Sequence, residues 1–241
     1  MPKMRLDQAV AARGLVLSRS QAESWIRLGK VQVDGQTVTK AGTLVADDAD
    51  ISLQAAEQYV SRAGLKLASV AATLQLDFRG KVMLDVGSST GGFTDYALQH
   101  GARKVIAVEL GTNQLHPSLH GHQHIELHEQ TDIRAMQQLS ETPGIVVIDV
   151  SFVSLRDILP HVATLAGPQT QIIAMVKPQF EAAASNLKHK GVIKNDHMRR
   201  TILKDFEDWA RERFVILDKA DSEIKGAKGN LERFYKLQKV G

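Results

Sequence analysis

The sequence predicts an α/β fold, in which helices cover a mostly parallel sheet, preceded by a small α+β domain. From residue 81 onward, short apolar strands alternate with helical segments, the pattern of a parallel sheet covered on both faces. Before residue 56, two helical segments precede a hairpin signal. The last two strands have no helix between them, so we expect the final strand to run antiparallel.

The composition limits the classes of protein to which the chain can belong. Its 241 residues suffice for one large and one small domain, and 43% hydrophobic with 24% charged residues is typical of a soluble globular protein. The absence of cysteine excludes disulfides, thiolate zinc sites and cysteine nucleophiles. We see no signal peptide and no spanning segment, so we expect a cytoplasmic protein that does not bind membranes. A net charge of +3 is compatible with a nucleic-acid partner.

Residues 1–55 are predicted to form the small domain. Leu6 and Val10 share one face of a first helix, which ends at Gly14. Ser18 is predicted to cap a second helix, with Gln21 as its capping-box partner.

The small domain also carries a hairpin signal and an excess of positive charge. Asp34-Gly35 between two alternating runs is a strong signal for a two-residue hairpin. Residues 1–40 hold seven Lys or Arg against three acids, which favours an RNA- or DNA-binding face, although an ordinary solvated basic surface remains the alternative. The candidates for phosphate contacts are Arg5, Arg19, Arg27 and Lys30.

A linker is predicted over residues 56–64, and the large domain over residues 65–241. Its elements follow in order: a helix in SRAGLKLASVAATL, a strand in KVMLDVG, a helix in GGFTDYALQHG, strands in KVIAVEL, HIELHE and IVVIDVS, a helix in RDILPHVATLAG, a strand in QIIAMVK, a helix in HMRRTILKDFEDWARE, and strands in RFVILDKAD and LERFYKLQKV. Pro178, directly after QIIAMVK, predicts that no regular element continues there.

A glycine-rich loop, LDVGSSTGGFTD, follows the first strand of the large domain. In an open α/β sheet, ligands bind beyond the carboxyl ends of the strands. Gly87, Gly91 and Gly92 let backbone approach a ligand, and free amides near Phe93 suit a carboxylate or phosphate. The spacing G-S-S-T-G-G does not match the dinucleotide fingerprint. A tight turn whose glycines serve packing alone is the alternative.

This loop, with Asp85 before it and Glu109 ending the next strand, resembles the S-adenosylmethionine site of class I methyltransferases, which have a Rossmann-like sheet. The resemblance implies that Glu109 holds the ribose hydroxyls, that the loop passes the methionine end, and that Asp132 accepts from the adenine amino group. The cofactor would be S-adenosyl-L-methionine. The candidate cofactor-binding residues are Asp85, Gly87, Ser88, Gly91, Gly92, Phe93, Glu109, Asp132 and Asp149.

Charged residues stand at the ends of several predicted strands. Asp149 ends IVVID, Lys177 ends IIAMVK and Glu232 opens the last strand, while Lys66 lies in the helix before the sheet. Lys177 has two ordinary explanations: it extends into water, or it forms a weak surface pair with Glu181. Together, two lysines and two carboxylates around one crevice would suit methyl transfer to an alcohol, because a lysine held by acids can order the hydroxyl and accept its proton.

The motifs VSRAGLKL, LDVGSSTGGFTD, VIDVSFVSL, MVKPQFE, KGVI and GAKGNLE stand in the order and spacing of the TlyA family. The chain therefore resembles ribosomal RNA ribose 2′-O-methyltransferases, cytidine being the expected nucleotide, historically also called hemolysins. MRLDQAV and SRSQAESWIRLGKVQVDG resemble a small RNA-binding domain first described in a ribosomal protein. The methyltransferase half also resembles the FtsJ type, whose Lys-Asp-Lys-Glu tetrad would fall on Lys66, Asp149, Lys177 and Glu232, with ribosomal RNA or ribosomal subunits as partners.

A histidine-rich segment departs from that family. It holds His116, His120, His122, His124 and His128, and three of them alternate at a spacing that could bind a metal. We expect a solvent-facing loop and no metal. Glu109 also stands where many relatives have aspartate. Three other functions stay open: an RNA-binding assembly factor without activity, a membrane-lysing hemolysin, and a nucleotide-dependent dehydrogenase, which the glycine spacing disfavours.

Overall fold

The computed structural model describes residues 3–16, 18–27, 29–54, 59–185, 187, 191–226 and 229–240. In the N-terminal part the elements are β1 (Lys3–Arg5), α1 (Leu6–Ala12), α2 (Arg19–Arg27), β2 (Val31–Val33), β3 (Gln36–Thr37), β4 (Leu44–Ala46) and β5 (Ile51–Leu53). The larger part follows with α3 (Arg62–Ala71), β6 (Val82–Val86), α4 (Gly92–Gln99), β7 (Lys104–Val108), β8 (Ile125–His128), β9 (Ile145–Ile148), α5 (Leu159–Leu165), β10 (Gln171–Val176), α6 (Pro178–Glu181), α7 (Asp196–Arg211), β11 (Phe214–Asp221) and β12 (Arg233–Lys239). Three 3₁₀ turns lie at Pro117–Leu119, Ile133–Ala135 and Leu155–Asp157.

Seven strands form the large sheet in the order β11-β12-β10-β9-β6-β7-β8. The pairs from β10 to β8 are parallel, whereas β12 is antiparallel to both β10 and β11. This confirms the predicted α/β class and the predicted antiparallel final strand. The carboxyl ends of β6, β7, β9 and β10 meet at one edge of the sheet, where ligands bind in such folds.

Helices cover both faces of the sheet. On one face α3 and α4 pack through buried residues such as Leu65 and Phe93, and the same apolar cluster continues into the small N-terminal part through Leu6 and Ile26. On the other face α5 and α7 pack through Leu159, Phe206 and their neighbours. Each central strand is buried on both sides, which explains why the strands are almost continuously apolar.

The N-terminal part confirms most of its predicted local structure. The Ser18 hydroxyl accepts the backbone N–H of Gln21, as a helix cap should, while the Gln21 side chain donates to the carbonyl of Tyr59. The hairpin joins β2 to β3, with positive φ at Asp34 and Gly35. The sequence did not reveal that β1 pairs with β4 and that β5 joins β2.

Residues 59–61, inside the predicted linker, are packed against the larger part, and the linker's last three residues, 62–64, belong to α3. Tyr59 is buried, and its ring centroid lies 5.3 Å from that of Tyr96 on α4. The N–H of Val60 donates to the Asp95 carboxylate at 2.7 Å. Residues 56–58 of the same predicted linker lie outside the described residues.

β10 ends at Val176, before Pro178, as expected, but a regular element follows directly. A short helix, α6, begins at that proline. Proline suits the first helical position, because its missing N–H would have no partner there and its φ is already helical.

Candidate active site

A cavity of about 660 Å³ opens at the carboxyl edge of the sheet. Its walls come from the segments that follow β6, β7 and β9 and from the turn at Thr131–Arg134. Val108, Ile133 and Val153 supply apolar wall, while Glu109 and Asp149 supply carboxylates. A mostly apolar cleft with a few convergent polar groups is the usual form of a small-molecule site.

Glu109 lies directly after β7 and joins two neighbouring loops. One carboxylate oxygen accepts the N–H of Ser89 at 2.9 Å, and the other accepts the N–H of Gly111 at 2.7 Å. A carboxylate has further acceptor capacity. Glu109 is therefore held in place at the cavity wall and can still accept from a ligand hydroxyl.

Gly87 brings two strand ends together. Its φ is +81°, and a Cβ atom there would lie 2.6 Å from the carbonyl oxygen of Asp149. Only glycine combines this conformation with such a close approach. The first glycine of the loop thus serves packing against the β9 end as well as lining the cavity.

Asp132 lies at the cavity wall and caps the 3₁₀ turn that follows it. Its carboxylate accepts the backbone N–H of Arg134 at 2.9 Å and also binds the Arg134 guanidinium. These hydrogen bonds hold the pKa of Asp132 below its ordinary value, against the opposing effect of partial burial. The carboxylate is therefore an ionised acceptor in a defined orientation.

Five other predicted cofactor residues are not among those that line the cavity. Asp85 is buried behind it and accepts from the Thr94 hydroxyl at 2.6 Å. Burial raises the pKa of Asp85 to about 7.

The two later glycines of the loop are closely packed. A Cβ at Gly91 would meet Leu115 and Leu119, and one at Gly92 would meet Ser61. The remaining two residues are Phe93 and Ser88. The ring centroid of the buried Phe93 lies 6.1 Å from that of Phe234, and the buried hydroxyl of Ser88 has no hydrogen-bond partner among the described residues. Their contacts with a cofactor stay predictions.

Lys177, at the end of β10, does not extend into water. It is only 9% exposed, and its Nζ lies 2.5 Å from Oδ1 of Asp149. The two groups form a close ion pair, and Nζ also donates a hydrogen bond to the Ser151 hydroxyl at 2.8 Å. Because Asp149 and Ser151 line the cavity, the ammonium group sits beside its wall.

The second lysine and the second acid form another pair. Nζ of Lys66, on α3, lies 2.6 Å from Oε2 of Glu232. Val176 pairs with Arg233 across β10 and β12. The neighbouring residues Lys177 and Glu232 therefore leave the two strands side by side. The topology brings the four predicted tetrad residues to one edge of the sheet as two ion pairs.

The suggested surface pair between Lys177 and Glu181 is wrong. Glu181 is 1% exposed and accepts hydrogen bonds from Ser154 and Leu155. Lys177 pairs with Asp149 instead. A turn of helix separates the two residues in the sequence, but their charged groups point to different parts of the same loop.

The predicted phosphate-binding residues have different surroundings. Arg5 and Arg19 converge on one buried carboxylate, Asp7, at 3.0 and 2.8 Å. Burial opposes ionisation of Asp7, but hydrogen bonds from the two arginines outweigh it and hold its pKa below the ordinary value. Arg27 pairs with Glu23 on the same helix, and Lys30 is exposed at the start of β2. Their contacts with RNA stay predictions.

The histidine-rich segment forms no metal site in the part of the chain that the structure describes. His120 bonds to the carbonyl of Leu115, His116 to Ser118, and His128 to Glu126. The segment also braces the glycine loop, since the N–H of His116 donates to the carbonyl of Thr90.

The sequence pattern of the FtsJ-like methyltransferase family matches residues 59–239, and that of the S4 domain matches residues 4–51. The chain belongs to the FtsJ-like methyltransferase family. Its relatives include Hemolysin A of Brachyspira hyodysenteriae, 37% identical over 95% of this chain and 97% of the relative. The 23S rRNA (cytidine-2'-O)-methyltransferase TlyA of Campylobacter jejuni is 35% identical over 96% and 98%, and the 16S/23S rRNA (cytidine-2'-O)-methyltransferase TlyA of Mycobacterium tuberculosis is 32% identical over 98% and 90%. The chain is thus a TlyA-type member of that family.

The fold has a close counterpart among solved structures. A protein from Streptococcus thermophilus superimposes with a TM-score of 0.72 at 35% identity, covering 100% of this chain and 90% of the other. S-adenosylmethionine is the cofactor of the FtsJ-like methyltransferase family. The cavity fits it, because apolar walls suit the adenine ring and Glu109 suits the ribose. In the adjoining glycine loop, the buried Ser88 hydroxyl has no hydrogen-bond partner among the described residues.

Several lining residues of this methyltransferase escaped the sequence reasoning. Ser89 and Gln114 bond to one another at 3.1 Å at the cavity wall, and Ser151 binds Lys177. Phe152, 90% exposed with a positive φ of 66°, borders the same cavity. The signal available in the sequence was the position of this phenylalanine inside DVSFVSL, a motif that the resemblance used.

Among the described residues, no helix is both long and apolar enough to cross a membrane.

Proposed function

We propose that this protein transfers a methyl group from S-adenosylmethionine to a ribose 2′-hydroxyl, that of a cytidine, in ribosomal RNA. One observation carries the proposal: the Lys177–Asp149 ion pair lies at the wall of the cavity at the carboxyl edge of the sheet, beside the Lys66–Glu232 pair. We call this cavity the donor cavity, because we propose that it holds the methyl donor. The names of the TlyA relatives support ribose methylation of cytidine, and the match to the S4 domain supports an RNA partner. We further propose that the protein acts in the cytoplasm, where ribosomal RNA is available.

The chain's own residues divide the work of the reaction. The bound cofactor supplies an electrophilic methyl group, which requires no metal. Asp149 neutralises Lys177, and Ser151 fixes its direction. Lys177, as the neutral amine, then holds the 2′-oxygen in line with the methyl group and accepts its proton while the new O–C bond forms and the methyl–sulfur bond of the donor breaks. Lys66 and Glu232 keep this edge of the site charge-balanced.

The exposed ring of Phe152 supports a nucleic-acid substrate. It lies 5.1 Å from the Phe180 ring, and Lys177 lies 5.9 Å from the centre of that second ring. A solvent-facing aromatic beside the reacting centre suits the stacking of an unpaired base. The base of the target nucleotide would lie on Phe152 while its ribose faces Lys177.

The test is transfer of tritiated methyl from S-adenosylmethionine to each ribosomal subunit lacking the modification. We expect label in alkali-resistant dinucleotides with wild type, and a loss of about 10²- to 10⁴-fold with Lys177→Ala. Lys219→Ala is the matched control, because Lys219 also pairs with a buried acid, Glu207, but lies on the edge strand β11.

Two outcomes would contradict this proposal. Wild-type transfer rates in Lys177→Ala would remove the catalytic assignment. Donor binding without transfer to either subunit would instead favour an RNA-binding assembly factor. Dye release from protein-free liposomes by the pure protein would support the activity that the name Hemolysin A attributes to one relative.

A further inference from the structure

Glu181 is a buried carboxylate close to the proposed catalytic lysine. It ends α6, which begins directly after Lys177. Its side chain is almost completely inaccessible and is not among the groups that line the cavity. Burial raises the pKa of Glu181 above its ordinary value. Because a buried carboxylate is costly unless it is hydrogen-bonded, its partners indicate its role.

All three partners of Glu181 are consecutive residues of the loop that follows β9. Oε1 accepts the backbone N–H of Leu155 at 2.7 Å, and Oε2 accepts the Ser154 hydroxyl at 2.6 Å. The Arg156 guanidinium lies 3.6 Å away, and it pairs in turn with Asp205 on α7 at 2.6 Å. The carboxylate therefore fixes the far end of this loop.

The near end of the same loop is fixed by the proposed catalytic lysine. Lys177 pairs with Asp149 and donates to Ser151. Residues 150–153, between the two anchors, all line the donor cavity, and they include the exposed Phe152. The segment from Lys177 to Glu181 thus holds the loop at both ends, with the contact between the Phe152 and Phe180 rings in between.

We propose that Glu181 is a positioning residue for methyl transfer: through Ser154 and Leu155 it holds loop 150–154 so that Ser151 and Asp149 orient Lys177 and the loop completes the donor cavity. This rests on the proposed function for the reaction itself, but the effect on the loop and on donor binding does not depend on it. Glu181 acts through other residues and touches no reacting atom.

The chemistry of the two donors explains why a carboxylate is required. Leu155 and Ser154 both present a hydrogen to Glu181, one on each oxygen. A glutamine offers one acceptor oxygen, and its amide group would face the second donor. Glu181→Gln should therefore keep one accepted hydrogen bond, weaken the second and lose the attraction for the Arg156 guanidinium, whereas Ser154→Ala removes one anchor and leaves Glu181 intact.

The experiment compares Glu181→Gln and Ser154→Ala with wild type in the full chain. Glu207→Gln is the matched control, since Glu207 is a mostly buried carboxylate whose partners Lys219 and the Tyr235 hydroxyl come from β11 and β12 and not from this loop. Three quantities are measured: amide hydrogen exchange of residues 150–156, the Kd of S-adenosylmethionine by calorimetry, and kcat and KM for methylation of ribosomal subunits.

We expect faster exchange over residues 150–156 and weaker donor binding in both loop variants, with neither change in Glu207→Gln. We also expect kcat to fall about 10-fold while KM for the subunit stays nearly constant, and the double variant to lose less than the product of the two single losses. Unchanged exchange and donor affinity in both variants would overturn the inference. Absence of methyl transfer by wild type would overturn the proposed function, and exchange and donor binding would still decide the role of Glu181.

Discussion

Nζ of Lys66 and Oε2 of Glu232 lie 2.6 Å apart, although one side chain comes from the helix before the sheet and the other from the entry to its last strand. Both side chains are nearly buried. A buried ion pair is weak support for stability, because desolvation offsets the attraction, but removal of one partner leaves an uncompensated charge. The pair therefore ties two distant parts of the chain to the proposed site.

Loss of one member of this pair should destabilise the protein more than loss of both. We expect Glu232→Gln to lower the free energy of unfolding by about 3 kcal/mol, and the double change Lys66→Met with Glu232→Gln to recover much of that loss without recovering methyl transfer. Urea unfolding together with the transfer assay checks this. A double variant as active as wild type would show that the pair is purely structural.

Gly87→Ala should damage the donor site beyond the effect of backbone strain alone. Gly80 is the control, because its φ of +68° is also left-handed while nothing lies within 4 Å of its Cβ position. Gly80→Ala should cost about 1–2 kcal/mol of stability. Gly87→Ala should cost about 1–3 kcal/mol more, since its Cβ would collide with the Asp149 carbonyl, and should also weaken donor binding. Equal losses of stability in the two variants, with equal donor affinity by calorimetry, would contradict the prediction.

Asp85 should make the stability depend on pH in a defined direction. Burial raises its pKa in the folded protein to about 7, so the folded state binds more protons than the unfolded state between pH 4 and 7. The contribution of Asp85 to stability is therefore fully present below its unfolded pKa and is lost as the pH rises towards 7. Asp85→Asn retains an acceptor for Thr94 and removes this loss.

Relative to wild type, Asp85→Asn should gain about 2–3 kcal/mol between pH 5 and pH 8, because each of the roughly two pH units between pH 5 and the folded pKa of about 7 contributes about 1.36 kcal/mol. Urea unfolding at the two pH values measures the gain. Glu207→Gln is the control, because hydrogen bonds from Lys219 and Tyr235 outweigh burial and lower the pKa of Glu207. It should show no such gain. Parallel pH curves for wild type and Asp85→Asn would refute the assignment.

Basic residues of the S4 domain should bind RNA phosphates. We expect Lys30→Gln and Arg19→Gln each to weaken binding of ribosomal RNA and to lower the slope of log affinity against log salt by about 1. Lys81→Gln is the control, since Lys81 precedes β6 and lies at the end of the sheet opposite the site. Filter binding over a salt series measures the slopes, and identical slopes for all three variants would exclude these residues.

The parallel sheet could be predicted because its strands are apolar on both sides and are separated by helical segments. The site could be predicted in outline because Asp149 and Lys177 end parallel strands and Glu232 precedes an antiparallel one, so all three lie at the same edge of the sheet. The proposed tetrad itself came from family motifs, since no periodicity places Lys66 beside Glu232.

The remaining features depend on tertiary contacts that a linear pattern does not contain. The partners of Glu181 lie in the loop that follows the neighbouring strand β9. Its short sequence distance from Lys177 therefore suggested an ion pair with Lys177 that does not form. The role of Gly87 as a spacer against Asp149 depends on strand register. The pairing of β1 with β4 joins two three-residue strands, too short to show alternation.

The position of β12 has a consequence for the order in which the protein is completed during synthesis. β11 has β12 as its neighbour in the sheet, and β12 enters between β11 and β10. The chain must therefore emerge from the ribosome as far as Lys239 before β11 or β12 can join the sheet. Glu232 reaches Lys66 in the same step. A nascent chain that has folded every earlier element would still lack this acid, so competence for methyl transfer should appear only after β12 has emerged.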